Sequence, residues 1–191
     1  FSHEGFSISW SKSIFSLYKA RNIAIKKAKG DFIAFLDADD TWNKNKLSFQ
    51  VNTLKKNPTI SIFYSNYHIL FQKNKKRVLK FKKKLPSGFI LKNLLKDYFI
   101  GLNTLLIEKK IFKNYKFNEK YNIIGDFDLL IRLSFKFRII ASQKSLANYR
   151  IHKSNFSKNI KMYIEELIKW KQKNKEKFLI NKLSFSSINI Y

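Results

Sequence analysis

The chain has 191 residues, 45% of them hydrophobic, enough for one folded domain with a substantial core. It has no cysteine, which excludes disulfides and thiolate zinc sites, and no apolar run of the roughly 18 residues that a membrane-crossing helix needs. The 39 lysines and arginines against 13 acidic residues give a formal net charge of +26, yet only five are arginine (Arg21, Arg77, Arg132, Arg138, Arg150). Sequence-specific nucleic-acid readers lean on the arginine fork, so no specific nucleic acid is expected; lysine suffices for attraction to an anionic membrane surface.

In chain order, residues 13–29 place Ile14, Leu17, Ala20, Ala24 and Ala28 at helical spacing, with Gly30 as a left-handed stop. "DFIAFL" follows as a short continuous apolar run, the pattern of a strand covered on both faces. Residues 43–57 read as a helix carrying Leu47, Val51 and Leu54 on one face, closed by Pro58, and "ISIFYS" as a second strand. From Lys73 to Lys84, eight of twelve residues are basic, which reads as a solvated loop or hairpin tip, with a lipid-headgroup or acceptor contact as the alternative. Ser87 to Phe99 is a predicted helix with a serine cap, "NTLLI" a strand, and "DFDLLIRLSF" a helix turning Leu129, Leu130 and Leu133 inward. "RIIAS" and "LANYRI" are predicted short strands. From Lys158 the chain is an amphipathic, lysine-rich helix, so the expected division is a domain over 1–157 and a basic helical tail over 158–191.

Four aspartates fall within ten residues, Asp31, Asp37, Asp39 and Asp40, the last three just beyond the apolar run. Packed carboxylates repel unless a cation or a hydrogen-bond network holds them. On extended backbone, positions i and i+2 point to one side, so Asp37 and Asp39 are expected to converge on a hard cation such as Mg²⁺ or Mn²⁺. The alternative is a turn-forming, helix-capping loop.

The stretch "ARNIAIKKAKGDFIAFLDADDTW" resembles the centre of the family 2 glycosyltransferases, inverting nucleotide-sugar enzymes. Its matching parts are Ala20-Arg21-Asn22, Gly30-Asp31, and Asp37-Ala38-Asp39-Asp40 with Trp42. "GDFDLLIRL" is similar to a later family element whose first aspartate is the general base, here Asp126; "NYRIHKSNFS" resembles another whose histidine reaches metal or diphosphate, here His152. Gly125 stands where the family usually has glutamate, and Leu130 where tryptophan is common.

The resemblance implies an α/β fold of GT-A type, a mixed sheet flanked by helices, lacking the amino-terminal nucleoside-binding strands that family members carry before the point matched by Phe1. It implies a glycosyltransferase moving a sugar from a nucleotide-diphosphate donor to a glycan or lipid-linked acceptor with inversion. Asp126 would be the base; Arg21, Asp37 and Arg150 would meet the donor; Asp39 and His152 would bind Mg²⁺ or Mn²⁺. The expected location is cytoplasmic, peripheral on the inner face of the plasma membrane. Two alternatives stand beside this reading: a basic nucleic-acid module or two-carboxylate nuclease, and an inactive remnant of the same fold.

Overall fold

A computed structural model describes residues 16–153, 155 and 159–180. Ile14 and the chain beyond residue 180, both part of the expectations above, lie outside the described residues. A six-stranded mixed sheet runs in the order β1 (Phe32–Ala34), β5 (Leu106–Glu108), β3 (Ile62–Phe71), β6 (Ile139–Ile151) and β2 (Thr41–Trp42), with β4 (Lys76–Leu79) paired to the outer half of β3. The neighbours β3 and β6 are parallel and every other pair is antiparallel.

Alternation along the strands builds two apolar layers. Ile33, Ile62, Tyr64, Ile107 and Ile139 join the larger core, while Phe32, Ala34, Phe63, Leu106 and Ile140 serve the smaller one on the opposite face. "DFIAFL" is apolar at successive positions because it feeds both layers. Its strand is only three residues long and pairs with β5 on one side; among the described residues no strand occupies its other edge.

The helix α2 (Lys46–Lys55) covers the smaller layer. The larger one is covered by α1 (Leu17–Lys27), α3 (Leu91–Lys96), α4 (Gly125–Ser134) and α5 (Ile160–Ile180), the last burying Leu167, Trp170 and Phe178 in the same core.

Several sequence expectations are corrected. In α1 the buried positions are Tyr18 and Ile25, whereas Leu17 is 44% exposed and Ala20 and Ala24 are also exposed. Alanine and leucine spacing named the wrong face, because a tyrosine and an arginine point inward to the site. In α2 the buried row is Lys46, Gln50 and Leu54, with Leu47 exposed. Gly30 has no left-handed backbone; α1 ends at Lys27 and is capped by Ala28, whose N–H bonds Ala24 O. Ser87 caps no helix: α3 starts only at Leu91, and the Ser87 hydroxyl accepts the Ala141 N–H.

The two predicted strands 138–142 and 146–151 are one strand, β6, with a register break opposite Ser65–Tyr67. At that break Asn66 is buried; its amide donates to Phe81 O and its carbonyl accepts the Tyr67 N–H, so the irregular step leaves its polar groups paired.

Candidate active site

The aspartate cluster is a turn, not an extended run: Asp40 N–H bonds Asp37 O at 3.0 Å. The alternation that would converge two carboxylates on one cation is therefore absent, and the three diverge. Asp37 accepts from Arg21 at 2.6 Å, Asp39 lies 2.8 Å from His152 Nε2, and Asp40 turns inward. The buried Asp40 carboxylate accepts the Asn103 amide at 2.6 Å and the Arg150 backbone N–H at 3.0 Å. Burial pushes its pKa up to about 6 despite these bonds. Asp40 is thus the bolt between the turn, the 3-10 turn at Leu102–Thr104 and the outer end of β6.

That bolt brings His152 to Asp39. Asn155 completes the corner: its side-chain carbonyl accepts the His152 N–H at 2.6 Å, and its amide donates to Arg150 O at 3.1 Å and Asp39 at 3.3 Å. Arg150 contributes its backbone to the turn, and its side chain falls at the β6 position paired with Leu70 of β3. Among the described residues no group of three or more His, Asp or Glu is arranged around a metal position.

Asp126 is the second residue of α4, where the helix N-terminus favours a carboxylate. Two tyrosines flank it: Tyr98 OH donates to one oxygen at 3.1 Å, and Tyr18 OH, whose shorter bond goes to Ile123 O at 2.6 Å, lies 3.3 Å from the other. Burial nevertheless raises its pKa above the ordinary carboxylate value, opposed by nearby backbone N–H groups and by Arg21. Tyr18 and Arg21 are one helical turn apart on α1, and the guanidinium sits 5.4 Å from the tyrosine ring centre. A continuous wall therefore runs from Asp126 through Tyr18 and Arg21 to Asp37.

The loop entering α4 is gripped from far along the chain. On α5, the Glu166 carboxylate accepts the backbone N–H groups of Asn122, Ile123 and Ile124 at 2.6, 3.0 and 3.1 Å. One turn later Trp170 donates to Asp128 at 2.9 Å, and Asp128 also pairs with Arg132 at 2.8 Å. Asp128 is thus a structural acid that fastens α4 to α5.

Beneath the turn, Trp42 donates to Asn103 O at 2.8 Å, and the buried Lys46 amine lies 4.2 Å from the Trp42 ring centre. Lys46 donates to Gln50 at 2.8 Å and to Leu105 O at 3.3 Å, and Gln50 donates to Thr104 O at 2.7 Å. Burial lowers the Lys46 pKa to about 7. A cavity of about 850 Å³ lies elsewhere, beside β1, lined by residues such as Lys26, Phe32, Glu108 and Phe112 and by none of the site carboxylates.

Sequence reasoning missed Tyr18, Tyr98, Asn103, Asn155 and Glu166. For Tyr18 a signal existed, since it precedes Arg21 by one helical turn, and for Asn155 too, three residues after His152 in the same motif; Tyr98, Asn103 and Glu166 are joined to the site only by tertiary contact.

A model of the glycosyltransferase like family 2 matches residues 3–184. The chain belongs to this family. It is 34% identical over 140 residues to the amylovoran biosynthesis glycosyltransferase AmsB of Erwinia amylovora, covering 69% of this chain and 46% of that protein. It is 41% identical over 98 residues to an Escherichia coli protein, WfgD, covering 51% of this chain and 37% of that one. WfgD is named as a UDP-Glc:alpha-D-GlcNAc-diphosphoundecaprenol beta-1,3-glucosyltransferase. The chain thus spans about half or less of the length of these two glycosyltransferases. The crystal structure of S. aureus TarS 1–349 in complex with UDP-GlcNAc matches with a TM-score of 0.57 at 20% identity, covering 75% of this chain and 41% of that one. The fold is accordingly of GT-A type, a mixed sheet flanked by helices.

Proposed function

We propose that this family 2 chain acts as an inverting glycosyltransferase, one that moves a sugar from a nucleoside-diphosphate donor to a lipid-linked saccharide in surface polysaccharide synthesis. The observation that carries the reading is Asp126, flanked by two tyrosine hydroxyls at a helix N-terminus and joined through Tyr18 and Arg21 to Asp37.

In the proposed reaction Asp126 takes the proton of an acceptor hydroxyl as that oxygen bonds the anomeric carbon. The bond from that carbon to the diphosphate oxygen breaks, and its electron pair leaves with the diphosphate. Attack opposite the leaving group inverts the centre. The raised pKa of Asp126 suits a base, because a weakly solvated carboxylate holds a proton more readily. Arg21, Asp37 and Arg150 are assigned to the donor, Arg21 and Arg150 through phosphate oxygens.

Asp39 and His152 offer a carboxylate oxygen that suits Mn²⁺ or Mg²⁺ and, 2.8 Å from it, an imidazole nitrogen, a softer donor that fits Mn²⁺ better than Mg²⁺. We assign them to hold such an ion; bound there, it would supply positive charge to offset the negative charge developing on the leaving diphosphate. Isothermal titration with UDP tests the assignment: Asp39→Ala should lose the metal-dependent part of binding, and Asp97→Ala should keep it. Equal binding by both variants would sink it.

The nuclease alternative needs two carboxylates facing one metal, and Asp37 and Asp39 turn to different partners. The location we propose is the cytoplasmic membrane face, where a polyprenyl-diphosphate-linked acceptor would be met. To test the function, the intact protein is incubated with nucleotide sugars and a polyprenyl-diphosphate saccharide, and the product linkage is read by NMR. A product with the inverted anomeric configuration supports the reading; one that retains the donor's configuration overturns it.

A further inference from the structure

The charges of this chain are distributed unevenly. No acidic residue occurs between Asp40 and Asp97, nor between Asp128 and Glu165, so β3, β4 and β6 contain none at all. Their outer halves form a three-stranded ribbon beyond the core, with Ile69 opposite both Val78 and Tyr149, and Phe71 opposite both Lys76 and Ile151. Residues paired across strands share a face. One face therefore carries Ile69, Phe71, Val78, Tyr149 and Ile151, all half-exposed, with the exposed Lys76 at its outer edge, and the other carries His68, Arg77, Asn148 and Arg150 with Leu70 and Leu79.

Lys73, Lys75 and Lys76 ring the hairpin tip, all exposed. Lys75 sits there in the left-handed region with φ 54°, a position that glycine or asparagine would occupy at lower cost. The ribbon's outer end adjoins the site, since Arg150 N–H bonds Asp40 and His152 lies at Asp39.

We infer that this ribbon seats on an anionic bilayer, with its apolar face among the headgroups and the tip lysines on lipid phosphates, holding the candidate site at the membrane surface. The inference rests on the reading of a lipid-linked acceptor. An apolar strip rimmed by lysines is what an interfacial element requires: apolar contact for depth and point charges for anionic lipid. A nucleic acid is a poorer occupant. The one arginine of the hairpin, Arg77, is already bonded to His68 and Asn148 at 3.1 and 3.3 Å, and an apolar face offers nothing to a phosphate backbone.

Flotation of the chain with vesicles of phosphatidylcholine, with and without phosphatidylglycerol, tests this. The chain should float only with anionic vesicles. Replacing Lys73→Gln, Lys75→Asn and Lys76→Gln together should lower partitioning roughly a hundredfold, at about fivefold per lysine near the surface. Replacing Lys169, Lys173 and Lys175 of α5 by glutamine changes net charge equally and should cost far less; neither triple should melt below the parent, since all six side chains are exposed and asparagine suits the backbone at residue 75. Phe71→Gln should add a loss that persists at high salt.

Equal losses from the two triples would overturn the ribbon assignment and leave the membrane reading standing. Failure of the parent chain to float with any vesicle would overturn both. Tight duplex binding at a salt concentration that strips the vesicles, lost in the hairpin triple, would reassign the ribbon to nucleic acid.

Discussion

The ring of Tyr18 occupies the space that a side chain at Gly125 would need: a Cβ on residue 125 would lie 2.5 Å from Tyr18 Cε2. Glycine at this position therefore comes with a tyrosine that fills its volume, bonds Ile123 O and lies beside Asp126. Glutamate, the residue that the family resemblance leads one to expect at 125, has no room while Tyr18 stays in place.

From this follows a coupling. Gly125→Ala should destabilise the chain by about 1–3 kcal/mol through overpacking. Tyr18→Ala should cost about 3–5 kcal/mol by leaving a cavity. The double variant should cost less than their sum by ~1 kcal/mol or more, since the clash disappears with the ring. Urea denaturation of the four proteins measures this, and strict additivity would refute the steric account.

Glu166 should prove a fastener of the base. Its two oxygens receive three backbone N–H groups, and an amide has one acceptor oxygen, so Glu166→Gln orphans at least one donor and removes the charge. The expected cost is about 1–3 kcal/mol. Hydrogen exchange should quicken at Asn122–Ile124 and stay unchanged in the inner half of β3. Uniform quickening would mean that Glu166 serves only general stability.

Lys46 predicts a pH dependence. Its folded pKa, about 7, lies below the ordinary 10.5, so between those values the unfolded chain binds the proton and the folded chain does not. Stability should therefore rise with pH across that window, by up to ~1.4 kcal/mol per unit. Above about pH 10 the buried tyrosines Tyr64 and Tyr98 act the other way, because burial raises their pKa and folding opposes their ionisation. Melting temperatures between pH 7.5 and 9.5 should climb in the parent and flatten in Lys46→Met (the ~2-unit interval stays below tyrosine titration). An equal slope in both would remove Lys46 as the cause.

Asp126→Asn in the intact enzyme should lower kcat by roughly a hundredfold or more with little change in donor affinity. In the parent, activity should fall as acid protonates the base, with a midpoint above that of an exposed aspartate, because burial raises this pKa. Undiminished turnover by the asparagine variant would return Asp126 to a purely structural role.

The features legible in the sequence are those encoded by near neighbours. The helix before the aspartates, the strand after it, the helix opening at Gly125 and the final amphipathic helix are all present, although their ends shift by several residues. Matching the burial of helix faces was harder. On α2 the inward positions are a lysine and a glutamine, whose polar ends are paired with carbonyls that the sequence does not mark as nearby. Apolar periodicity cannot find a buried polar row, because it counts transfer energy and not hydrogen bonds.

By itself the sequence determined the family, the α/β alternation and the residue types available for chemistry, because these reside in local order and spacing. Only the tertiary structure decided which carboxylate does what. Asp37, Asp39 and Asp40 are near-identical in sequence context, yet one meets Arg21, one His152, and one the Arg150 backbone and Asn103. Except for Arg21, these partners lie more than sixty residues away along the chain. The physical reason is that a carboxylate's charge state and use follow from burial and from donors within about 3 Å. Both are set by how distant strands pack, and Tyr18 reaches Asp126, and Glu166 the backbone that leads to it, only once α1, α4 and α5 close on one core.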